Sequence, residues 1–347
     1  MYRVKSFKIV SLFFVSFLLV ISFFASVFKQ SMTVFASDNI EIIACEGEKQ
    51  EVQKEIIKWV DFNIDGQSLK SVLEFCKEYR GKPHSPSFAQ TLSYLSIKNS
   101  NEFDKSSSLG ILKKLRAYLD EGNCILDKYG DNKYFLRYQQ IYHAIFDGLV
   151  GEYEMVCGTT QYGIMGYFPI AKGFDYNHYD DFGNSRSYGY KRRHLGHDFM
   201  GQVGTPIIAI EGGTVTELGW NKYGGWRIGI RSCDQKRYYY YAHLRKDRPF
   251  ALDMKLGDRV EAGQVIGYLG YTGYSEKENT NLKTGSPHLH LGLQLIFDAS
   301  QEKGSGEIWI DLFGICNFLT SERAVVTRDD NTKEWISQSI KVPILAK

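Results

Sequence analysis

The hydrophobic period of the chain changes near residue 150, and no single repeating architecture accommodates both sides of that change. Before it, apolar residues recur at helical spacing. Val52, Ile56 and Trp59 form one stripe. Leu69, Val72, Cys76 and Tyr79 form a second, Ile111, Leu115 and Tyr118 a third, and Tyr138, Ile141, Ile145 and Leu149 a fourth. Residues 81–87 and 99–108 read as loops between them. Beyond residue 150 the pattern has a period of two, broken by glycine turns. Strands are predicted at 205–210, 214–218, 226–231, 237–243, 265–269 and 288–294. Gly212-Gly213 and Tyr223-Gly224-Gly225 supply turns between them, and residues 257–267 alternate glycines with short apolar strokes. The fold class that satisfies both halves is α+β and multidomain: an N-terminal helical bundle followed by a mostly antiparallel β-sandwich or barrel. Residues 308–319 read as a closing helix. The expected boundaries are 1–36, 37–150 (helical, of unknown role), 151–320 (β) and 321–347 (a polar tail).

Residues 1–36 stand apart. Arg3, Lys5 and Lys8 precede an uncharged run from Ile9 to Phe28, and Lys29 closes it. Such a run is long enough to span a bilayer with its basic end in the cytoplasm. Val34-Phe35-Ala36 also offers a small-residue cleavage site. A cleaved signal peptide and an uncleaved membrane anchor therefore both fit, and either places the rest of the chain outside the cytoplasm. The whole chain has a net charge of +2, and those four basic residues account for more than all of it, leaving −2 for the remainder. A near-neutral exported body gives no electrostatic case for nucleic acid, and none is expected as a partner. Cys45, Cys76, Cys124, Cys157, Cys233 and Cys316 are widely spaced and contain no C-x-x-C pair. Disulfides are permitted by export, and free buried thiols fit equally well.

Four of the eight histidines fall into a pattern with the logic of a metal site. In Ser286-Pro287-His288-Leu289-His290-Leu291, two imidazoles sit at i and i+2 of a predicted strand and so share a face. In Arg193-His194-Leu195-Gly196-His197-Asp198-Phe199, His194 and Asp198 lie four apart beside a glycine. Two imidazoles and a carboxylate give zinc three protein ligands and leave the fourth position open, as a catalytic ion requires. His243 ends the strand Tyr238-Tyr239-Tyr240-Tyr241-Ala242-His243. His197 is expected to face away from Asp198, because neighbours on an extended chain point to opposite sides. His84 and His143 read as structural. Residues 176–183 and 271–285, rich in aromatic residues and in Gly, Asn and Thr respectively, are candidate groove walls.

In this order, H-x-x-x-D, then a strand ending in A-H-L, then H-x-H, the motifs resemble those of the lysostaphin-type (LytM-type) zinc metalloendopeptidases of bacterial cell walls. The text from Gly257 to Gly267 is similar too, and the resemblance covers about residues 165–300. It implies a β domain of the duplicated hybrid motif type. It implies one Zn2+ per chain held by His194, Asp198 and His290, with His243 and His288 as catalytic histidines. Tyr188 or Tyr190 would help hold the oxyanion. It further implies hydrolysis of peptide bonds in peptidoglycan, in the stem peptide or the cross-bridge, with the membrane as a second partner if the N-terminal segment is uncleaved. A non-catalytic wall-binding or assembly scaffold of the same fold is the alternative. A phosphocarrier with paired histidines is a third reading, disfavoured because its partners are cytosolic.

Overall fold

The computed structural model describes residues 56–154, 158–187, 191–338 and 341–343. The expected signal or anchor at 1–36, Tyr188, Tyr190, Cys45 and Cys157 lie outside the described residues. Among those described, no helix is long and apolar enough to cross a membrane. Cys76, Cys124, Cys233 and Cys316 are free thiols.

Among the described residues, five helices precede the strands, four of them opened by a side chain that satisfies otherwise unpaired backbone N–H groups. Asp65 caps α1 (Gly66–Tyr79), accepting from the amides of Gln67 and Ser68. Ser87 and Gln90 form a reciprocal capping box on α2 (Phe88–Lys98). Asp104 caps α3 (Lys105–Asp120), and Asn132 caps α5 (Lys133–Phe146). The short α4 spans Ile125–Tyr129 and has no such cap. The stripe Leu69, Val72, Cys76, Tyr79 is buried as its spacing predicts. The first stripe is a correction: residues 56–65 are not helical. Ile56 and Trp59 are exposed, whereas Ile57, Phe62 and Ile64 turn inward. Burial of these three on an irregular segment overrides the local helical spacing.

The β region begins with β1 (Val150–Glu154) and β2 (Thr160–Ile164), an antiparallel pair. Its main body is an antiparallel sheet of eight strands. Seven run in the order β11 (Arg259–Val260), β8 (Gly213–Asn221), β9 (Gly225–Ser232), β10 (Arg237–Ala242), β13 (His288–Leu295), β6 (His197–Gly201) and β3 (Tyr176–His178). The eighth, β14 (Ile308–Ile310), pairs with the far end of β13. Strands β7 (Pro206–Ile208) and β12 (Val265–Tyr268) pair separately and bury Ile207 and Ile266 against the same core as Ile228, Ile230, Leu289 and Leu291. That arrangement is mostly antiparallel, as expected.

Two further differences follow from packing. The expected helix at 308–319 divides into β14 and α6 (Phe313–Leu319). Ile308 and Ile310 alternate inward opposite Leu295 and Leu293, and the Asp311 carboxylate then accepts the Phe313 amide to start the helix. The described part of the polar tail is built into the fold. Strands β15 (Val326–Arg328) and β16 (Trp335–Ser337) form a hairpin, and β17 (Val342–Pro343) pairs with β1.

The boundary near residue 150 marks a change of secondary structure inside one compact unit beginning at Glu55. Leu69, Phe135 and Ile145 belong to the same apolar cluster as Tyr239, Tyr241 and Leu293. The fully buried Arg237 guanidinium ties the two parts together. It donates to the Ala144 carbonyl of α5 and to both oxygens of Glu211, at 2.7 and 2.9 Å. Tyr239 completes that network by donating to Glu211 at 2.8 Å.

Candidate metal centre and active site

Strand register builds the site. In the β6–β13 ladder, Asp198 stands directly opposite His290 and Met200 opposite His288, so Asp198, His288 and His290 share one face. On the other face His197 opposes Leu291 and Phe199 opposes Leu289, and these residues face the core. His197 is fully buried there, with Nδ1 3.1 Å from the Tyr179 carbonyl and Nε2 2.9 Å from Asp311. The expected outward turn of its ring from Asp198 is what the backbone alternation produces.

His194, just after β5 (Lys191–Arg193), enters from the side. Its Nε2 lies 3.1 Å from Asp198 Oδ1 and 2.9 Å from His290 Nδ1, and His290 Nδ1 lies 3.2 Å from the same Asp198 oxygen. Three donor atoms thus form a nearly equilateral triangle. A tetrahedral zinc with bonds of about 2.0–2.2 Å places its donors roughly 3.3–3.6 Å apart, so opening each edge by a few tenths of an ångström admits the ion. Two neutral imidazoles and one carboxylate are also the donor chemistry zinc accepts, and the set fits. Gly196 is required by close approach: a Cβ there would sit 2.5 Å from the Leu291 carbonyl and 2.8 Å from the His290 ring.

The electrostatics of the cluster suit a cation. Burial works to raise the Asp198 carboxyl, but hydrogen bonds from His194 and His290 overcome it and hold the group well below the usual carboxylate range. Burial lowers His194, yet its bonds to Asp181 and Asp198 raise it to about 9. His290 is lowered, chiefly by burial.

His243 and His288 flank the triangle. His243 follows the last residue of β10 in a left-handed conformation, with φ +59°. Non-glycine residues rarely adopt it, and the turn swings the imidazole back over the sheet face. Its ring centroid is 4.7 Å from that of His288 and 6.2 Å from that of His290. His243 Nδ1 donates to the Thr272 carbonyl at 2.7 Å, and His288 Nδ1 donates to the Ser286 carbonyl at 2.8 Å. Each ring therefore carries its lone pair on Nε2. His288 Nε2 is 3.9 Å from Asp198 Oδ1. Burial, then the neighbouring His288 and His290, push His243 down to about 3, so it is neutral at ordinary pH.

These residues surround a cavity of about 130 Å³, also lined by Arg186, Tyr240 and Tyr274. Through His194, His290, Arg192 and Tyr240 it is continuous with a groove of about 910 Å³ along the sheet. Tyr238, Tyr240 and Trp309 line this groove, with the Trp309 ring lying close over Gly292, where a Cβ would meet it at 2.7 Å. Of the expected groove walls, residues 271–285 supply Tyr274, Leu282, Thr284 and Gly285 to the cavity. Residues 176–183 are a correction. Tyr176 and His178 pack on Phe199 within β3, and Asp181 stands behind His194, because pairing with β6 claims the segment.

Sequence reasoning missed Asp181, Arg186, Tyr240 and Tyr274. Tyr240 was within reach, since it alternates with Ala242 on the strand ending at His243 and shares the face of His290. Of the other three, Arg186 lies on β4 (Ser185–Ser187), paired with β5, and Asp181 and Tyr274 depend on how loops fold back, for which spacing offers no signal.

Residues 192–302 match the family described as peptidase family M23. The L-Ala--D-Glu endopeptidase of Bacillus subtilis (strain 168) is 40% identical over 126 residues, which are 36% of this chain and 37% of that protein. Lysostaphin of Staphylococcus simulans is 42% identical over 99 residues, 28% of this chain and 17% of that protein. The chain thus spans well under two thirds of either relative. A crystal structure described as a putative glycyl-glycine endopeptidase LytM from Ruminococcus gnavus is 23% identical, covering 75% of this chain and 98% of its own, with a TM-score of 0.49.

Proposed function

We propose, with the membership of residues 192–302 in peptidase family M23 as premise, that this chain is a zinc-dependent endopeptidase hydrolysing peptide bonds of bacterial peptidoglycan outside the cytoplasm. The observation that carries the reading is the donor triangle of His194 Nε2, Asp198 Oδ1 and His290 Nδ1, with His243 and His288 beside it. Relatives named L-Ala--D-Glu endopeptidase and peptidoglycan DD-endopeptidase support the choice of substrate. The groove leading from the triangle, floored by Tyr238, Tyr240 and Trp309, suits an extended polymer.

His194, Asp198 and His290 would hold the ion, which supplies Lewis acidity and makes water acidic enough to react at neutral pH. The remaining work belongs to the chain. His243 and His288 each present an Nε2 lone pair fixed by the carbonyl that Nδ1 bonds. In this reading one accepts the proton of the attacking water and returns it to the departing amine, and the other steadies the tetrahedral oxyanion once protonated. Tyr188 and Tyr190, outside the described residues, remain candidates for that second task, and Tyr240 and Tyr274 line the cavity as well.

The test is release of new amino groups from purified peptidoglycan, with and without a chelator and with zinc restored. His288→Ala should keep its zinc and lose about 10²–10⁴ in kcat, the range for a positioned acid–base group. His290→Ala should lose both zinc and activity. Zinc-loaded protein that releases no amines from any wall preparation refutes the hydrolase and favours the non-catalytic scaffold.

A further inference from the structure

Behind the donor triangle lies a charge pair, Asp181 and Arg186. Asp181 is buried, and its Oδ2 and backbone carbonyl lie 3.2 and 3.1 Å from His194 Nδ1. Both are acceptors, so Nδ1 carries a hydrogen in either charge state, and Nε2, which shares a proton with Asp198 Oδ1, is the nitrogen left to bind an ion. The Arg186 guanidinium, 3.2 Å from the same Nδ1, can only donate, and a protonated Nδ1 cannot accept from it. Its hydrogen bonds go instead to Asp198 Oδ2, at 3.0 Å, and to Asp181 Oδ2. Arg186 thereby occupies the outer oxygen of Asp198 and leaves Oδ1, which faces His194 and His290, for a ligand.

This arrangement sets a permanent cation close to the place a divalent ion would take. Repulsion between the two is strong in a partly buried site unless an anion stands beside the guanidinium. Asp181 is that anion. It touches Arg186 directly and lies 3.2 Å from His194 Nδ1.

We propose that Asp181 is a positioning residue for the metal centre, fixing the tautomer of His194 and neutralising Arg186 so that Arg186 can orient Asp198 without repelling the ion. The inference rests on the metal-site reading given above. It has a signature that a merely structural role lacks. Removing the charge of Asp181 leaves Arg186 unopposed, and removing Arg186 as well relieves the repulsion.

The experiment measures the zinc Kd of the full chain by competition with a chromophoric chelator, and the visible absorption spectrum after cobalt substitution. Asp181→Asn is expected to weaken zinc binding about 10–100-fold, the usual cost of losing a partner of a metal-bound histidine. The double variant Asp181→Asn, Arg186→Gln is expected to recover part of that loss. An Asp181→Asn Kd equal to that of the unsubstituted chain overturns the proposal, as does a double variant that binds more weakly than Asp181→Asn alone. Should Asp181→Asn not fold, Arg186→Gln decides by itself. Asp198 then loses the donor on its outer oxygen, and the cobalt spectrum shifts; an unchanged spectrum overturns the proposal. If the unsubstituted chain binds no zinc, the metal-site reading fails with it. Tight binding that is indifferent to Asp181 defeats this inference alone.

Discussion

Replacing His178 with phenylalanine should stabilise the protein, and by more in acid than in base. The His178 ring stacks on Phe199 with centroids 4.1 Å apart and lies 4.9 Å from the Phe313 ring. Its Nε2 is buried with no hydrogen-bond partner among the described residues. Burial, reinforced by His197 and opposed by Asp181 and Asp311, lowers the imidazole to about 3. The folded protein therefore leaves His178 neutral, whereas the unfolded chain protonates it below an ordinary pKa of about 6.5. Above that value neither state binds the proton, and the group adds no pH dependence. Below it only the unfolded state gains, so stability falls as pH drops from about 6.5 towards 3, by about 1.4 kcal/mol per pH unit. At pH 5 the loss amounts to about 2 kcal/mol. Phenylalanine fills the same stacked position and has no proton to gain. It also removes the orphaned nitrogen, which costs about 1–3 kcal/mol at any pH. Guanidinium unfolding of both proteins at pH 8 and pH 5 checks this, because contributions from every other titrating group cancel in the difference between them. A stability difference that is the same at both pH values, or that favours histidine in acid, refutes the reasoning.

Two further outcomes are expected elsewhere in the molecule. Gly196→Ala should weaken zinc binding by about tenfold or more, because the new methyl would displace the His290 ring it meets at 2.8 Å; equilibrium dialysis measures it, and unaltered affinity would show that the ring can yield. Arg237→Met should destabilise the fold by about 3–5 kcal/mol in urea, since it strands the buried Glu211 carboxylate with only Tyr239 as a donor from that network. Zinc content and kcat/KM per folded molecule should be unchanged in that variant.

The parts of the site legible in the sequence are those written in strand alternation. His288 and His290, two apart, need only the period of two to share a face, and the strand expected at 288–294 runs His288–Leu295; the strand His197–Gly201 that holds Asp198 was not among those expected. The helical stripes from Leu69 onward were readable for the analogous reason. What failed was local spacing without tertiary context. The stripe at Val52, Ile56 and Trp59 has helical spacing, but in its described part the residues drawn into the core are Ile57, Phe62 and Ile64. Residues 308–319 carry enough apolar residues for a helix, yet β13 offers an unpaired edge that captures Ile308–Ile310 first. Asp181 and Arg186 come from the segment leading into β5, and nothing in their spacing indicates that they close behind His194.

The dependence of the centre on register also explains why the sequence tolerates His197 beside Asp198. A shift of β6 by one residue along β13 would exchange its faces, bringing His197 towards His290 and sending Asp198 into the core beside Leu289 and Leu291. The hydrophobic alternation forbids this, because it would expose Phe199 and bury a carboxylate without partners. Specificity for one histidine over its neighbour therefore comes from the apolar residues between them rather than from imidazole chemistry. His243 obeys a different rule. It lies beyond the end of β10, where no ladder fixes its direction, and reaches the cavity only through its left-handed backbone and the bond from its amide to the Gly224 carbonyl at 2.7 Å. Three residues are thus positioned by the sheet and one by a strained turn. The strain, of order 1–3 kcal/mol, persists because the surrounding structure over-determines it.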